Sequence, residues 1–426
     1  MNGPAHTTAP SVREVLANRS VVAYLVAVGS VTTGVLAVVT SLGKQVFDMT
    51  GRELDLGLLG LAEFLPALLL VIPAGAIADR FDRTRVFALA SVGEAAATVG
   101  MAWLFWSDRQ TLGSILAIVA VFGTFRAIGA PAARSLPVNI VEPAALPRVI
   151  ALNSLAWQVG IIIGPVTGGV LLTVSPAAPH LFAAGAALVS ALAALFIRVR
   201  PGVRNQRVPV TLRSAIEGLR VIRRQPVLLG AISLDLFAVL FGGAVALLPA
   251  IADKQLGVGS VGLGWLRAAG GIGASLSALA LTIRPLRRRV GPTLFVVVAI
   301  FGLATIGLGL TTSYAVAFAM MLVMSAADSV SVNIRSTLGP LVTPDEVRGR
   351  VLAVENLFIG ASNELGAFES GVAGQLLGAS GAVVFGGAAT LVVAAAWALL
   401  FPALRRVERF EDLSPDEPEE RLPARG

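Results

Sequence analysis

Residues 75–85 read GAIADRFDRTR. The last seven positions hold five charges, Asp79, Arg80, Asp82, Arg83 and Arg85, whereas residues 56–74 hold one, Glu63. An apolar helix of about 20 residues, at 1.5 Å per residue, crosses the roughly 30 Å hydrocarbon layer of a bilayer. The stretch therefore marks where one crossing ends and a polar loop begins, and the rest of the chain repeats the pattern.

Of 426 residues, 55% are hydrophobic and 14% charged, with a mean hydropathy of +0.81. A soluble domain carries about 25% charged residues. Hydropathy and the Gly, Pro and charge interruptions divide the chain into twelve spans at 20–43, 56–78, 86–106, 112–138, 149–174, 180–197, 227–251, 260–283, 292–311, 314–339, 350–376 and 381–401. The first is preceded by Arg13 and Arg19 and is too long for a signal-peptide core, so it is read as retained. The chemistry open to the chain is narrow. There is no cysteine, and the two histidines, His6 and His180, fall in the N-terminal tail and a short loop. Neither lysine, Lys44 or Lys254, sits in a phosphate-binding loop. No enzyme activity, metal or cofactor is expected.

An even number of spans puts both tails on one side. Of the 33 basic residues, 25 fall in the tails and in the loops after spans 2, 4, 6, 8 and 10. Four fall in the opposite loops and four within spans. That 25 to 4 bias predicts that both tails are cytoplasmic, and it accounts for a pI near 10.9 without nucleic acid. The predicted organisation is a tail at 1–19, a six-helix half at 20–197, a linker at 198–226, a second six-helix half at 227–402 and a tail at 403–426. Within the linker, Leu212, Ile216, Leu219 and Ile222 keep helical spacing, as in an amphipathic helix at the membrane interface or a solvated linker helix. The acidic tail EDLSPDEPEE reads as disordered.

The two halves repeat each other. Shifted by about 201 residues, RSLPVNIVEP from Arg134 lies over RSTLGPLVTP from Arg335. Shifted by 203, Asn153 meets Asn356 and Gly168 meets Gly371; shifted by 205, Gly57 meets Gly262. Three weak matches in one order support a six-plus-six duplication, which is typical of secondary transporters.

On these residues the chain resembles the major facilitator superfamily. GAIADRFDRTR is similar to that superfamily's signature in the loop between spans 2 and 3, and GPVTGG at 164–169 to the glycine–proline motif of its exporters. RAIGAPAARSLPVNIV and RGRVLAVENLFIGASNELGAFESG resemble the branch that includes the bacterial enterobactin exporter and related drug-efflux proteins. The resemblance implies an all-α membrane protein, twelve transmembrane helices in two six-helix halves related by pseudo-two-fold symmetry, in a bacterial inner membrane. It implies a cytoplasmic gate in which Gly75 packs closely and Asp79, beside Arg80, pairs with Arg83, Arg134 or the N-terminus of span 11. A loop that only sets topology is the other reading. Gly164, Pro165, Gly168 and Gly169 would let span 5 pack tightly and seal the outer side.

Ionisable groups within the spans cost about 2.5–3.5 kcal/mol each and mark candidate sites. They are Glu63, Glu94, Arg126, Asp235, Arg267, Asp328, Glu364 and Glu369, with Arg134 and Arg335 nearer the ends of spans 4 and 10. Spans 4 and 10 line the cavity in the resembled superfamily, so Arg126 and Asp328 are expected to face each other across it; a permanent salt bridge is the alternative. Glu63, Asp328 and Glu364 are the candidate proton carriers, with Asn356 and Asn363 as alternative partners of Glu364. The expected function is proton-driven export of an amphiphilic small molecule, a siderophore or drug, by a monomer in the bilayer. A proton-coupled importer, and less so a receptor or scaffold, remain as alternatives.

Overall fold

The computed structural model describes residues 10–200 and 212–413, apart from the side chains at 72 and 212–215. His6, linker residues 201–211 and tail residues 414–426 lie outside the described residues. The described chain is helical, and eleven of its helices are long and apolar enough to cross a membrane. Spans 1–6 are Arg19–Thr50, Glu53–Arg80, Arg83–Trp106, Leu112–Ile140, Leu146–Leu172 and Ala178–Leu195. Span 7 runs Pro226–Gln255, and spans 8–10 are Ser260–Ile283, Val290–Leu310 and Tyr314–Leu341. The remaining helix, Asp345–Leu400, has 56 residues and breaks at Gly378, with φ 75° and ψ 161°. Fifty-six residues at 1.5 Å would reach far beyond a bilayer, and that backbone conformation is open to glycine alone. The break separates spans 11 and 12.

Local chemistry sets several helix ends. Asp82 caps span 3 by accepting from the Thr84 amide at 2.9 Å and the Arg85 amide at 3.1 Å. Thr111 caps span 4 in a reciprocal box with Ser114. Span 7 loses its α-helical course at Gly242–Gly243 and continues through a 3₁₀ turn, Ala244–Leu247, to a π turn, Ile251–Gln255. The glycines permit a close approach there. A Cβ on Gly243 would stand 2.6 Å from the Gly366 carbonyl of span 11, and one on Gly366 would stand 2.8 Å from the Val239 carbonyl.

The chain forms two compact units. Of the described residues, one takes those within Met1–Met49, Ala62–Pro209 and Gly259–Ala268; the other takes those within Thr50–Leu61, Val210–Val258 and Ala269–Gly426. Two short stretches depart from a simple division by chain order. The first turns of span 2 belong to the second unit, and the first turns of span 8 to the first. Backbone packing explains both. In the second unit, a Cβ on Gly57 would lie 3.1 Å from Phe368 of span 11, and one on Gly371 would lie 2.9 Å from Gly57. In the first unit, a Cβ on Gly264 would lie 2.6 Å from the Pro165 carbonyl of span 5, and one on Gly169 would lie 3.3 Å from Gly264. Small residues let helices meet backbone to backbone where lipid offers no hydrophobic drive to pack.

Each unit has its own apolar core. Val21, Tyr24, Phe87, Leu136 and Val149 belong to the first, and Leu234, Leu294, Ile334 and Val393 to the second. A matching clasp holds the opposite ends of the helices. Gln45 donates to the Pro176 carbonyl at 2.7 Å and bonds His180 at 2.8 Å. Gln255 donates to the carbonyls of Leu308 and Gly309, both at 3.1 Å, and accepts from Ser380 at 2.6 Å. Lys44–Gln45 and Lys254–Gln255 are thus a further repeat of the two halves. His180 corrects its expected place in a loop: it is fully buried in span 6, stacked on Phe105 at 5.2 Å and bonded to Gln45 through Nε2, while its Nδ1 has no hydrogen-bond partner among the described residues.

The linker helix, Leu212–Arg224, packs on span 11 within the second unit. Gly218 meets the backbone of Arg350, and Glu217 pairs with Arg350 at 2.8 Å. Ile222 is buried while Ile216 and Leu219 stay exposed, so the face that docks is not the whole apolar stripe.

Candidate functional site

Several of the charged residues in the spans gather into one cluster in each unit. In the first unit, a Cβ on Gly123 would stand 2.5 Å from the Glu63 carbonyl, so spans 2 and 4 touch at that level. One turn further, Arg126 forms an ion pair with Glu63. Arg126 is half exposed, and Glu63 is 20% exposed. Glu94 on span 3 is buried, within electrostatic reach of Arg126 and Glu63, and its Oε2 has no hydrogen-bond partner among the described residues. Two acids surround one guanidinium. Arg126 therefore has a partner that sequence reasoning did not assign to it, because helix register and a glycine contact decide which acid it reaches.

The second unit holds the tighter cluster. Arg335 Nη1 lies 2.6 Å from Asp235 Oδ2, with 6% and 9% of the two side chains exposed. Arg335 Nε also donates to Ser331 Oγ at 3.3 Å. Asp328, two turns from Arg335 on span 10, and Glu355 on span 11 both feel the Arg335 charge. Three carboxylates thus surround one buried guanidinium. Asp235, Asp328 and Ser331 share a small cavity of about 20 Å³ whose other walls are apolar, among them Val297, Val298 and Phe301. Glu355 escaped the sequence reading because it sits near a charged segment and reads as a span end.

The other candidates stand apart from these clusters. Glu364 lies against Gly60, whose Cβ would be 3.1 Å from its carboxylate. Asn356 and Asn363 each donate to the carbonyl four residues back, at 2.7 and 2.8 Å, rather than to Glu364. Glu369 accepts from Ser370 at 3.5 Å. Arg267 has a buried Nε with no hydrogen-bond partner among the described residues.

At the loop between spans 2 and 3, Arg83 lies 3.6 Å from Asp79 and donates to the Ala78 carbonyl at 3.3 Å. Arg80 stacks on Phe81 at 5.9 Å, and Arg134 is exposed on span 4. Gly75 corrects the expectation of close packing, since a Cβ there would meet nothing within 4 Å. Asp82 has the cap role that its place in the charged run hid. Burial favours its neutral form, yet the Thr84 hydroxyl and two backbone amides win and hold the carboxyl below its usual range. In the 164–169 motif, Gly164 faces span 1, where a Cβ would lie 2.7 Å from the Thr33 carbonyl, and Gly168 packs on Ala37. Pro165 and Gly169 face the start of span 8.

The family model of the Major Facilitator Superfamily matches residues 20–367. The chain belongs to that superfamily. Its curated relatives include an uncharacterized MFS-type transporter, y4rN, of Sinorhizobium fredii, 29% identical over 232 residues, 52% of this chain and 56% of that one. Another, YfiS of Bacillus subtilis, is 27% identical over 65% of this chain and 64% of its own length. The matches thus span less than two thirds of these two relatives. The enterobactin exporter EntS of Escherichia coli is 24% identical over 88% of this chain and 90% of its own. Two solved structures share the fold. A bacterial homolog of the human lysosomal transporter Spinster, inward-facing and occupied, has a TM-score of 0.70 at 16% identity, covering 92% of this chain and 97% of that one. The nucleoside transporter NupG has a TM-score of 0.65 at 12% identity, covering 90% and 98%. The chain thus combines membership of that superfamily with the major facilitator fold and eleven helices long and apolar enough to cross a membrane.

Proposed function

We propose that this transporter exports an amphiphilic small molecule from the cytoplasm in exchange for protons. The observation that carries the reading is the excess of acids over bases in both intramembrane clusters: Glu63 and Glu94 around Arg126, and Asp235, Asp328 and Glu355 around Arg335. A carboxylate in excess of its counter-ion inside a membrane is a group that takes up and gives back a proton. Proton binding drives transport only if it favours one orientation of the protein over the other; an acid that loses its arginine partner in one state meets that condition. Glu63, Asp328 and Glu364 are the proton carriers in this reading, and Asp79 with Arg83 is a cytoplasmic latch. The 25 to 4 distribution of basic residues supports cytoplasmic tails in a bacterial inner membrane.

Likeness to the enterobactin exporter supports export of an amphiphilic small molecule such as a siderophore or drug. The test is accumulation of a fluorescent cationic dye and of a labelled catecholate siderophore in cells expressing the protein, with and without a protonophore, alongside Glu63→Gln, Asp328→Asn and Glu364→Gln. Export predicts lowered accumulation that uncoupling and at least one of these variants restore. Accumulation that rises identifies an importer, and accumulation that never responds removes both readings for these substrates.

A further inference from the structure

Sequence reasoning assigns no role to Asp235, yet it is the residue that holds Arg335. The two lie 2.6 Å apart in a site that water barely reaches. One wall of the neighbouring cavity is Asp235 of span 7; the facing wall is Asp328 and Ser331 of span 10. At about 20 Å³ the cavity has room for one water molecule. A buried water needs two to four polar partners, and Asp235, Asp328 and Ser331 supply three. Among the described residues, the charged groups lining this space are Asp235 from span 7 and Asp328 from span 10, with Arg335 of span 10 and Glu355 of span 11 in electrostatic reach of them, while span 9 contributes Val297, Val298 and Phe301. One positive charge therefore meets three carboxyl groups.

We propose that Asp235 and Asp328 form a dyad that holds one proton between them across a single bridging water. Two carboxylates lining one small cavity beside a single cation do not both stay ionised, so the pair titrates as a unit. Arg335 neutralises whichever member is ionised, and its direct bond to Asp235 makes Asp328 the member that carries the proton at rest. To move the proton, the bridging water receives it from Asp328 and passes one of its own to Asp235, leaving the water intact and the total charge unchanged. Asp328 then takes over as the anion facing Arg335. The dyad's role as the coupling site rests on the proton-driven reading above; the shared proton itself does not.

Infrared spectroscopy of the purified full-length protein in phospholipid nanodiscs at neutral pH tests it. Wild type should show a protonated carboxyl carbonyl band that shifts in heavy water. Asp328→Asn and Asp235→Asn should each abolish it, since the dyad then keeps a single carboxylate, which pairs with Arg335 and ionises. Ser331→Ala, which leaves every charge in place, should shift the band without removing it. That variant keeps the test open if either Asn variant fails to fold. Absence of the band in wild type, or its persistence unchanged in the Asn variants and in Ser331→Ala, overturns the dyad. Proton-dependent transport by wild type, measured in parallel, separates the two claims. Transport coupled to protons without the band places coupling elsewhere, at Glu63 or Glu364. The band without proton-dependent transport keeps the dyad and removes the transport reading.

Discussion

Gly264 and Gly75 are both inside helices, in spans 8 and 2, and their environments are opposite. A Cβ on Gly264 would stand 2.6 Å from the Pro165 carbonyl oxygen and 3.2 Å from the Val166 Cα, whereas one on Gly75 would meet nothing within 4 Å. Ordinary contact begins at 3.4 Å, so Gly264→Ala demands a displacement of 3.4 − 2.6 = 0.8 Å. The obstacle is helix backbone, which no rotamer change can move aside. Overpacking of this kind costs about 1–3 kcal/mol. Exchanging Gly for Ala inside a helix returns about 1 kcal/mol at either site, so that contribution cancels between the two variants. Gly264→Ala should therefore be about 1–3 kcal/mol less stable than Gly75→Ala, and Gly75→Ala should be slightly more stable than wild type. Unfolding free energies measured by titrating a denaturing detergent into mixed micelles give both numbers. Equal stability of the two variants would refute the claim that spans 5 and 8 meet backbone to backbone.

Arg335→Met strips three carboxyl groups of their cation and should cost about 3–5 kcal/mol, while Arg335→Lys should cost less; the same detergent titration reads both. Gln45→Leu leaves the Pro176 carbonyl without its donor and buried His180 without its partner, a loss of about 1–3 kcal/mol. It should raise hydrogen exchange at the start of span 6 more than anywhere else in the first unit. Asp82→Ala removes the cap of span 3 and should cost about 1 kcal/mol, read as faster exchange at Thr84 and Arg85. Because the Asp82 carboxyl is held below its usual range, its contribution is present above the unfolded value near 3.9. That contribution disappears as pH falls through the lower folded value, so the effect of Asp82→Ala should vanish in strong acid.

Much of the candidate site was visible before any coordinates. An ionisable residue in an apolar run is costly wherever the run folds, so Glu63, Glu94, Arg126, Asp235, Arg267, Asp328 and Glu364 could be picked out from one dimension. Their partners could not. Arg126 reaches Glu63 because Gly123 brings span 4 against the span 2 backbone, and Arg335 reaches Asp235 because spans 7 and 10 pack at that height. These contacts join residues 63 and 100 positions apart (126 − 63 and 335 − 235), and helical period says nothing about rotation between helices so distant in sequence.

The sequence alone determined the number of spans, the sidedness expected of the tails and the duplication. Each depends on quantities summed along the chain: apolar length against bilayer thickness, basic residues per loop, and recurrence of motifs. It also located the glycine and proline positions without saying what they touch. Tertiary structure decided that Gly75 is loosely surrounded, that Gly57 and Gly264 are in backbone contact, and that the first turns of spans 2 and 8 exchange units. It also decided that Arg335 pairs with Asp235, with Asp328 and Glu355 in reach of its charge. Packing and charge pairing depend on distances of a few ångströms between segments far apart in the chain, and only the folded chain sets those distances.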